Sequence, residues 1–339
     1  KDTDGSYWTN APLMAYERWS PFLQSFDRVT ILARNSQQGP RENMFKVSGR
    51  RVRVVPYPDY NGALEFIVRR RRIARIIQQV VSGPQVFCAL WVPNPFAGLV
   101  RRHVGRNSGV LLSIVTGDAR EALKSTFPGS LGALIGVAAE IATRRAVQCS
   151  DGVIYVTREY LQKVYPPPRG ALVLSRSNVR FGEGFPPAKS QPPRMDKLRR
   201  VKVIAVGSQQ QRYKGHHDLL EAVKALLEKD IFLDVLIVGD GKRHKELVKQ
   251  AATLDLSNVR FLHSAGVSED VAKLVRKFDI FTMPSHTEGM PKALLEAMAV
   301  GTFCIGTNVG GIPEVLPPKC LFGPKSPSEL AACLQFFIE

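Results

Sequence analysis

The sequence predicts an α/β protein made of two doubly wound domains with parallel sheets. Three observations carry this reading. Short β-branched runs alternate with segments of helical spacing, the pattern of parallel strands joined by crossover helices. A proline- and glycine-rich stretch from Gly182 to Arg194 divides the chain near its middle. A length of 339 residues with 44% hydrophobic content suits two cores, at roughly 100–200 residues per domain.

Taken in order, Arg28 to Leu32, Val52 to Val55, Gln85 to Ala89, Val110 to Val115 and Gly152 to Val156 read as strands of the first half. Val201 to Val206, Asp234 to Val238, Val259 to Leu262, Ile280 to Met283 and Phe303 to Gly306 read as strands of the second. Helical spacing lies between them, as in His217 to Leu227 and Ser268 to Lys277. The paired prolines oppose regular structure. They set the expected domains at residues 1–181 and 197–339, with a linker at 182–196. Two such domains leave a cleft, and ligands of open α/β sheets bind outside the carboxyl ends of the strands. The chain opens on Lys1 and a polar run to Gly5 and closes at Glu339 inside an expected helix, so a longer parent protein is expected.

Charge is uneven. Residues 1–195 carry about +15 and residues 196–339 about +2 of the formal +17. The basic half is suited to something anionic: nucleic acid, an anionic membrane surface or a phosphorylated acceptor. Arg69, Arg70, Arg71, Arg72 and Arg75 concentrate that charge on one helical segment, where Phe66, Ile73, Ile76 and Ile77 could share the opposite, core-facing side. No recognised nucleic-acid motif or stacking pattern accompanies the charge, so nucleic acid is not expected. Five scattered cysteines without a C-x-x-C pair indicate neither zinc nor a disulfide framework, and fit a reduced, cytoplasmic setting. The most apolar stretch, Ser130 to Ala142, falls short of a membrane span. The setting implied is cytoplasmic, with peripheral binding at the inner face of the plasma membrane as an extension.

The chemistry concentrates in the second half. Met283 to Ala299 follows an apolar strand and opens a helix, with Gly289 at the turn and Pro291 suited to a first helical turn. A helix N-terminus offers free N–H groups and a positive dipole end, an apt seat for a diphosphate. Glu288 stands at the mouth of the turn and Glu296 eight residues on, about 12 Å away if both lay along a helix. That distance suits gripping two hydroxyl-bearing parts of one extended ligand. Upstream, Gly207 to Gly215 again links strand to helix, and Lys214 there can neutralise a phosphate as a point charge. Gly239-Asp240-Gly241 and Gly310-Gly311-Ile312-Pro313-Glu314 are two more strand-end glycine turns. Each alone is weak; four at successive strand ends would line one edge of a sheet. Asp2-Thr3-Asp4 has a metal-binding D-x-D form, but no strand precedes it and no metal is expected. The six histidines are expected in surface or loop positions.

At these residues the sequence resembles the family 4 (group 1) retaining glycosyltransferases, which have the GT-B fold of two facing Rossmann-like domains around an interdomain cleft. The resemblance is strong from Val201 to Leu316 and weaker through the first half, where Tyr155 to Leu161 is similar to the end of the N-terminal domain. The family's E-x7-E signature matches Glu288 and Glu296. It implies that Glu288 holds the sugar ring, Glu296 the ribose hydroxyls, and the backbone of Gly289, Met290, Pro291, Lys292, Ala293 and Leu294 the sugar and diphosphate. Lys214 matches the family's phosphate lysine, and Gly207 and Gly239 sit beside the donor. An arginine usual after the first of these glycines is replaced by Ser208, and Arg212 could substitute. A histidine usual after the fourth N-terminal strand is missing, and Asp118 is the nearest candidate for its role, with Arg120 beside it. The family's first strand is also missing, which makes Gly5 the acceptor-side glycine loop. Asp118 and Arg120 read equally as a turn aspartate and a solvated arginine.

The resemblance implies transfer from a nucleoside-diphosphate sugar to a glycan or lipid-linked acceptor, with retention, by front-face attack and without a metal or other cofactor. It also implies a part in cell-surface polysaccharide or glycolipid synthesis. A nucleotide-sugar epimerase of the same fold and a basic nucleic-acid-binding protein are the rival readings.

Overall fold

The structure, a computed structural model, describes residues 5–9, 14–35, 44–60, 62–82, 86–106, 109–126, 129–177, 179, 181, 184–189, 200–263 and 268–339. They form two compact units, Lys1–Cys88 with Gly98–Leu111, and Ala89–Ala97 with Leu112–Glu339. Residues 112–181, grouped with the first domain in the sequence reading, fall in the same compact unit as 197–339. Of the expected linker, Gly182, Glu183 and residues 190–196 lie outside the described residues, as does Asp2-Thr3-Asp4. The described part is docked: Phe185 packs on the second unit's core, and Lys189 donates to Phe278 O through Nζ (2.5 Å) and to Val300 O through its amide (3.0 Å).

In the first unit, β1 (Trp8–Thr9) and β3 (Phe45–Lys46) pair antiparallel, while β2 (Val29–Asn35) and β4 (Val52–Pro58) pair in parallel. A small core of Val52 and Val54 with Trp19 of α1 (Tyr16–Trp19) and Val47 closes against them. Helix α2 (Gly62–Val81) buries Ile73, Ile77 and Val81, which recur at i, i+4 and i+8 and so share one stripe. Its Ile67, Val68, Arg69, Arg70, Arg71, Arg72 and Arg75 are exposed. Helix α3 (Ala97–Arg106) buries Val100 and Val104 one turn apart.

A four-stranded sheet runs β5 (Phe87–Val92), β6 (Val110–Val115), β7 (Gly152–Tyr155), β8 (Leu172–Ser175), and α4 (Ala119–Thr126), α5 (Gly129–Gln148) and α6 (Tyr160–Val164) follow its strands. The sequence set the fourth strand of the first half at its observed bounds, placed the third two residues early and missed β8, whose four residues are all exposed.

The second unit's larger sheet has six strands, β9 (Val201–Val206), β10 (Leu233–Val238), β11 (Val259–Leu262), β12 (Ile280–Met283), β13 (Phe303–Thr307) and β14 (Leu321–Phe322). Every pairing is parallel, and the order is β11-β10-β9-β12-β13-β14. This is the doubly wound order 3-2-1-4-5-6, which reverses between its first and fourth strands. Helices α7 (His216–Leu227), α8 (His244–Thr253), α9 (Ser268–Val275), α10 (Lys292–Ala299) and α11 (Pro327–Ile338) complete the unit. All four residues of β12 are buried, as a strand covered on both faces requires. Leu219, Leu220, Val223 and Leu226 of α7 join Leu330 and Leu334 of α11 in the same core.

Candidate active site

The four glycine turns follow β9, β10, β12 and β13, which are neighbours in one parallel sheet, so all four lie along its carboxyl edge. The order reverses between β9 and β12. From the β9 loop, a tight turn at Arg212–Lys214 ends on Gly215, whose φ of +68° leads into α7. A Cβ at Gly215 would overlap the Pro284 carbonyl oxygen of the β12 loop, so the two loops touch backbone to backbone. Across that contact Lys214 Nζ donates to Glu288 Oε1 at 2.6 Å, with side chains only 18% and 10% exposed. Burial pulls the ammonium pKa down, but the Glu288 charge, Tyr213 and the Glu288 hydrogen bond outweigh it and raise it overall. Lys214 therefore stays a buried cation. Arg212 is exposed at the rim.

The helix after β12 starts at Lys292, with Pro291 as its N-cap. Glu288 and Glu296 thus do not share a helix, and the expected helical spacing of the two carboxylates does not apply. Three non-helical residues, Gly289, Met290 and Pro291, lie between Glu288 and the start of α10. Glu296 sits half-buried on α10, Leu294 and Pro291 are buried, and Met290, Lys292 and Ala293 are half-buried. Gly289 O accepts from Gly311 N at 2.7 Å. Gly310, at φ +57°, leaves no room for a Cβ against Glu288 O, and Gly289 none against Thr116 O at the end of β6. Gly239 lies as closely on Gly207 O.

Behind Lys214, His286 Nε2 meets Asp218 Oδ2 at 2.5 Å and His217 Nε2 meets Asp218 Oδ1 at 3.1 Å. These three could surround a metal ion. Their setting is positive, however: they lie at the N-terminal end of α7, and Arg212 and Arg243 act on His217. A carboxylate shared by two imidazoles accounts for the geometry. His216 corrects the expectation of surface histidines. It is 5% exposed, and burial, then Lys214 and His217, push its pKa down to about 4.

Asp118, at 9% exposure, caps α4: its Oδ1 accepts from Arg120 N (2.9 Å) and Glu121 N (3.2 Å). Its Oδ2 accepts from Tyr160 Oη at 2.9 Å. Burial, then the Asp118 charge, raise the Tyr160 pKa, so the phenol remains a donor. The Arg120 side chain points elsewhere and pairs with Glu140 at 3.5 Å. Gly5, at φ +82°, lies in the first unit, on an open cavity of about 440 Å³ lined also by Tyr7, Ser48 and Arg53. Sequence reasoning did not single out Tyr160, the Asp218–His286 pair or the side chain of Glu314. Each gains meaning only through a partner distant in sequence.

Residues 200–339 match the family model described as glycosyl transferases group 1. Protein CapJ of Staphylococcus aureus is 26% identical over 326 residues, 95% of this chain and 80% of that protein. Three further curated relatives match over only 23% to 29% of their own length. Sucrose-phosphate synthase from Thermosynechococcus elongatus superposes with a TM-score of 0.67 at 16% identity, over 92% of this chain and 79% of that one. Anabaena HepE, solved with UDP-glucose, gives 0.60 at 18%, over 92% and 90%. The fold is that of the GT-B glycosyltransferases. Together, the family match and the relatives support a group 1 glycosyltransferase.

Proposed function

We propose that the protein is a family 4 retaining glycosyltransferase that moves a sugar from a nucleoside-diphosphate sugar to an acceptor hydroxyl in the synthesis of a cell-surface polysaccharide or glycolipid. The observation that carries this is the Lys214–Glu288 pair, held at the reversal point of a 3-2-1-4-5-6 sheet beside the N-terminus of α10. Such a point is where doubly wound sheets bind nucleotides. The UDP-glucose in the HepE structure supports the donor class, and the name of a relative 30% identical over 155 residues (44% of this chain, 37% of that protein), a putative colanic acid biosynthesis glycosyltransferase of Escherichia coli (strain K12), supports a part in polysaccharide synthesis.

In this reading the donor diphosphate takes the place of Glu288 beside Lys214. The buried ammonium and the amides from Gly289 to Leu294 stabilise the charge that develops as the sugar–phosphate bond breaks. Arg212 adds a second cation from the rim, where Ser208 offers none. Glu288, released, holds the sugar ring, and Glu296 the ribose hydroxyls. Gly207 and Gly239 let the backbone approach the nucleotide. The acceptor oxygen bonds to the anomeric carbon on the face the nucleotide leaves, and the leaving phosphate oxygen takes the acceptor proton. Asp118, Arg120 and Gly5 are assigned to the acceptor in this reading. No metal or other cofactor enters this scheme.

A panel of nucleoside-diphosphate sugars tested by thermal shift identifies the donor, since binding raises stability by mass action. NMR of the product made with that donor and an acceptor glycan then reads the anomeric configuration. An inverted product would sink the retaining mechanism. A new nucleotide sugar formed without acceptor would point instead to an epimerase.

A further inference from the structure

Glu314 closes the turn Ile312–Glu314 after β13, and its carboxylate reaches a segment more than 150 residues earlier in the chain. Oε2 accepts from Arg158 N at 2.5 Å, while Oε1 accepts from Glu159 N at 3.1 Å and Tyr160 N at 2.8 Å. These amides open α6, where the first N–H groups have no helical partner. No side chain of α6's own N-cap residue, Glu159, caps it. Tyr160, fixed by its amide at one end, donates through its hydroxyl to Asp118 Oδ2 at the other (2.9 Å). The turn bearing Glu314 also carries Gly310 and Gly311, which lie directly on the backbone of Glu288 and Gly289. A continuous strut thus joins the Glu288 turn to Asp118: Gly310-Gly311, Glu314, the start of α6, then Tyr160.

We propose that Tyr160 and Glu314 are positioning residues for glycosyl transfer, fixing Asp118 relative to the Glu288 turn. The inference rests on the reading of Asp118 as an acceptor-side group. Two features make the linkage rigid. A carboxylate taking three amides at a helix start is held by charge-assisted hydrogen bonds. Asp118 has both oxygens engaged, Oδ1 by the amides of Arg120 and Glu121 and Oδ2 by the Tyr160 hydroxyl, so the two sets of bonds together fix how its carboxylate is turned. Small displacements at a reacting centre carry large rate penalties.

The test uses Tyr160→Phe, which removes one hydroxyl, and Glu314→Gln, which keeps the side-chain shape and weakens the cap. Tyr160→Phe is expected to lower kcat about tenfold or more while donor affinity, read by titration of the nucleotide sugar, stays within about twofold. In an Asp118→Asn background the same change is expected to cost nothing further, since the two act as one unit. An unchanged kcat, or losses that multiply with those of Asp118→Asn, overturns the proposal. Hydrogen exchange gives a readout independent of activity: both variants are expected to speed exchange at the amides of Arg120 and Glu121, which Asp118 Oδ1 binds. Unaltered exchange there also overturns it. A wild-type protein without transferase activity defeats the functional reading instead, and the exchange result still decides whether the strut holds Asp118.

Discussion

Lys214 donates to Glu288 at 2.6 Å across 74 residues of sequence, from the two loops that flank the point where the sheet order reverses. Removing either partner leaves the other charge largely shielded from water and unpaired. Lys214→Ala and Glu288→Ala are each expected to destabilise the fold by about 3–5 kcal/mol, and the double variant by less than their sum. Urea unfolding of the four proteins measures the coupling, and additive losses would deny it. In turnover, Lys214→Ala is expected to cost more than Arg212→Ala, whose side chain is exposed.

The two glutamates are expected to separate kinetically. Glu296→Ala should weaken donor binding by about 1.5–3 kcal/mol, the worth of hydrogen bonds to a charged group. Glu288→Ala should act mainly on kcat. Donor titration and steady-state rates on both variants test this, and wild-type values for both would remove the assignment.

Gly215 is where the β9 and β12 loops meet backbone to backbone. With φ at +68° and the Pro284 carbonyl against it, Gly215→Ala is expected to cost more than about 2 kcal/mol, combining left-handed strain with overlap. Gly98, with no neighbour within 4 Å of an added Cβ, serves as the control and is expected to tolerate alanine without loss. Equal Tm values for the two variants would contradict the close packing of the loops.

The buried histidine sets an acid limit. His216 holds a pKa of about 4 in the fold against 6.5 unperturbed. Between those values the unfolded chain binds the extra proton. The stability is therefore complete above pH 6.5 and is lost as pH falls towards 4, by about 3 kcal/mol for this residue. His217, also lowered to about 4, acts in the same direction. Urea midpoints at pH 7 and 4.5 are expected to differ less in His216→Gln than in wild type.

On α2, Ile67 (53% exposed) and Val68 (81%) stand beside the arginines, while Ile73 and Ile77 are buried. Arg69 is engaged with Glu65 at 3.5 Å and with Asp59 O. Arg70, Arg71, Arg72 and Arg75 remain exposed. Each such residue is worth about 1 kcal/mol at an anionic leaflet, so peripheral binding to anionic vesicles is expected. It should weaken at high salt and on changing Arg69 to Arg72 to glutamine. Among the described residues no helix is long and apolar enough to cross a membrane. Equal sedimentation with neutral vesicles would leave a phosphorylated acceptor as the partner of this charge.

The sequence by itself determined the parallel α/β class, the bounds of β6, β9, β11 and β12, and the strand-end turns that carry Lys214, Gly239, Glu288 and Gly310. These are local properties: β-branched runs, glycine turns and helical spacing each act within about a dozen residues. Tertiary structure decided which turns meet. That β9 lies between β10 and β12 follows from how crossover helices pack on both faces of the sheet, and no local pattern encodes it. The same long-range packing made Glu314 the cap of α6, gave Asp118 its Tyr160 partner and buried His216 behind Lys214. Burial and partners at such separations are set only once the chain has closed on itself.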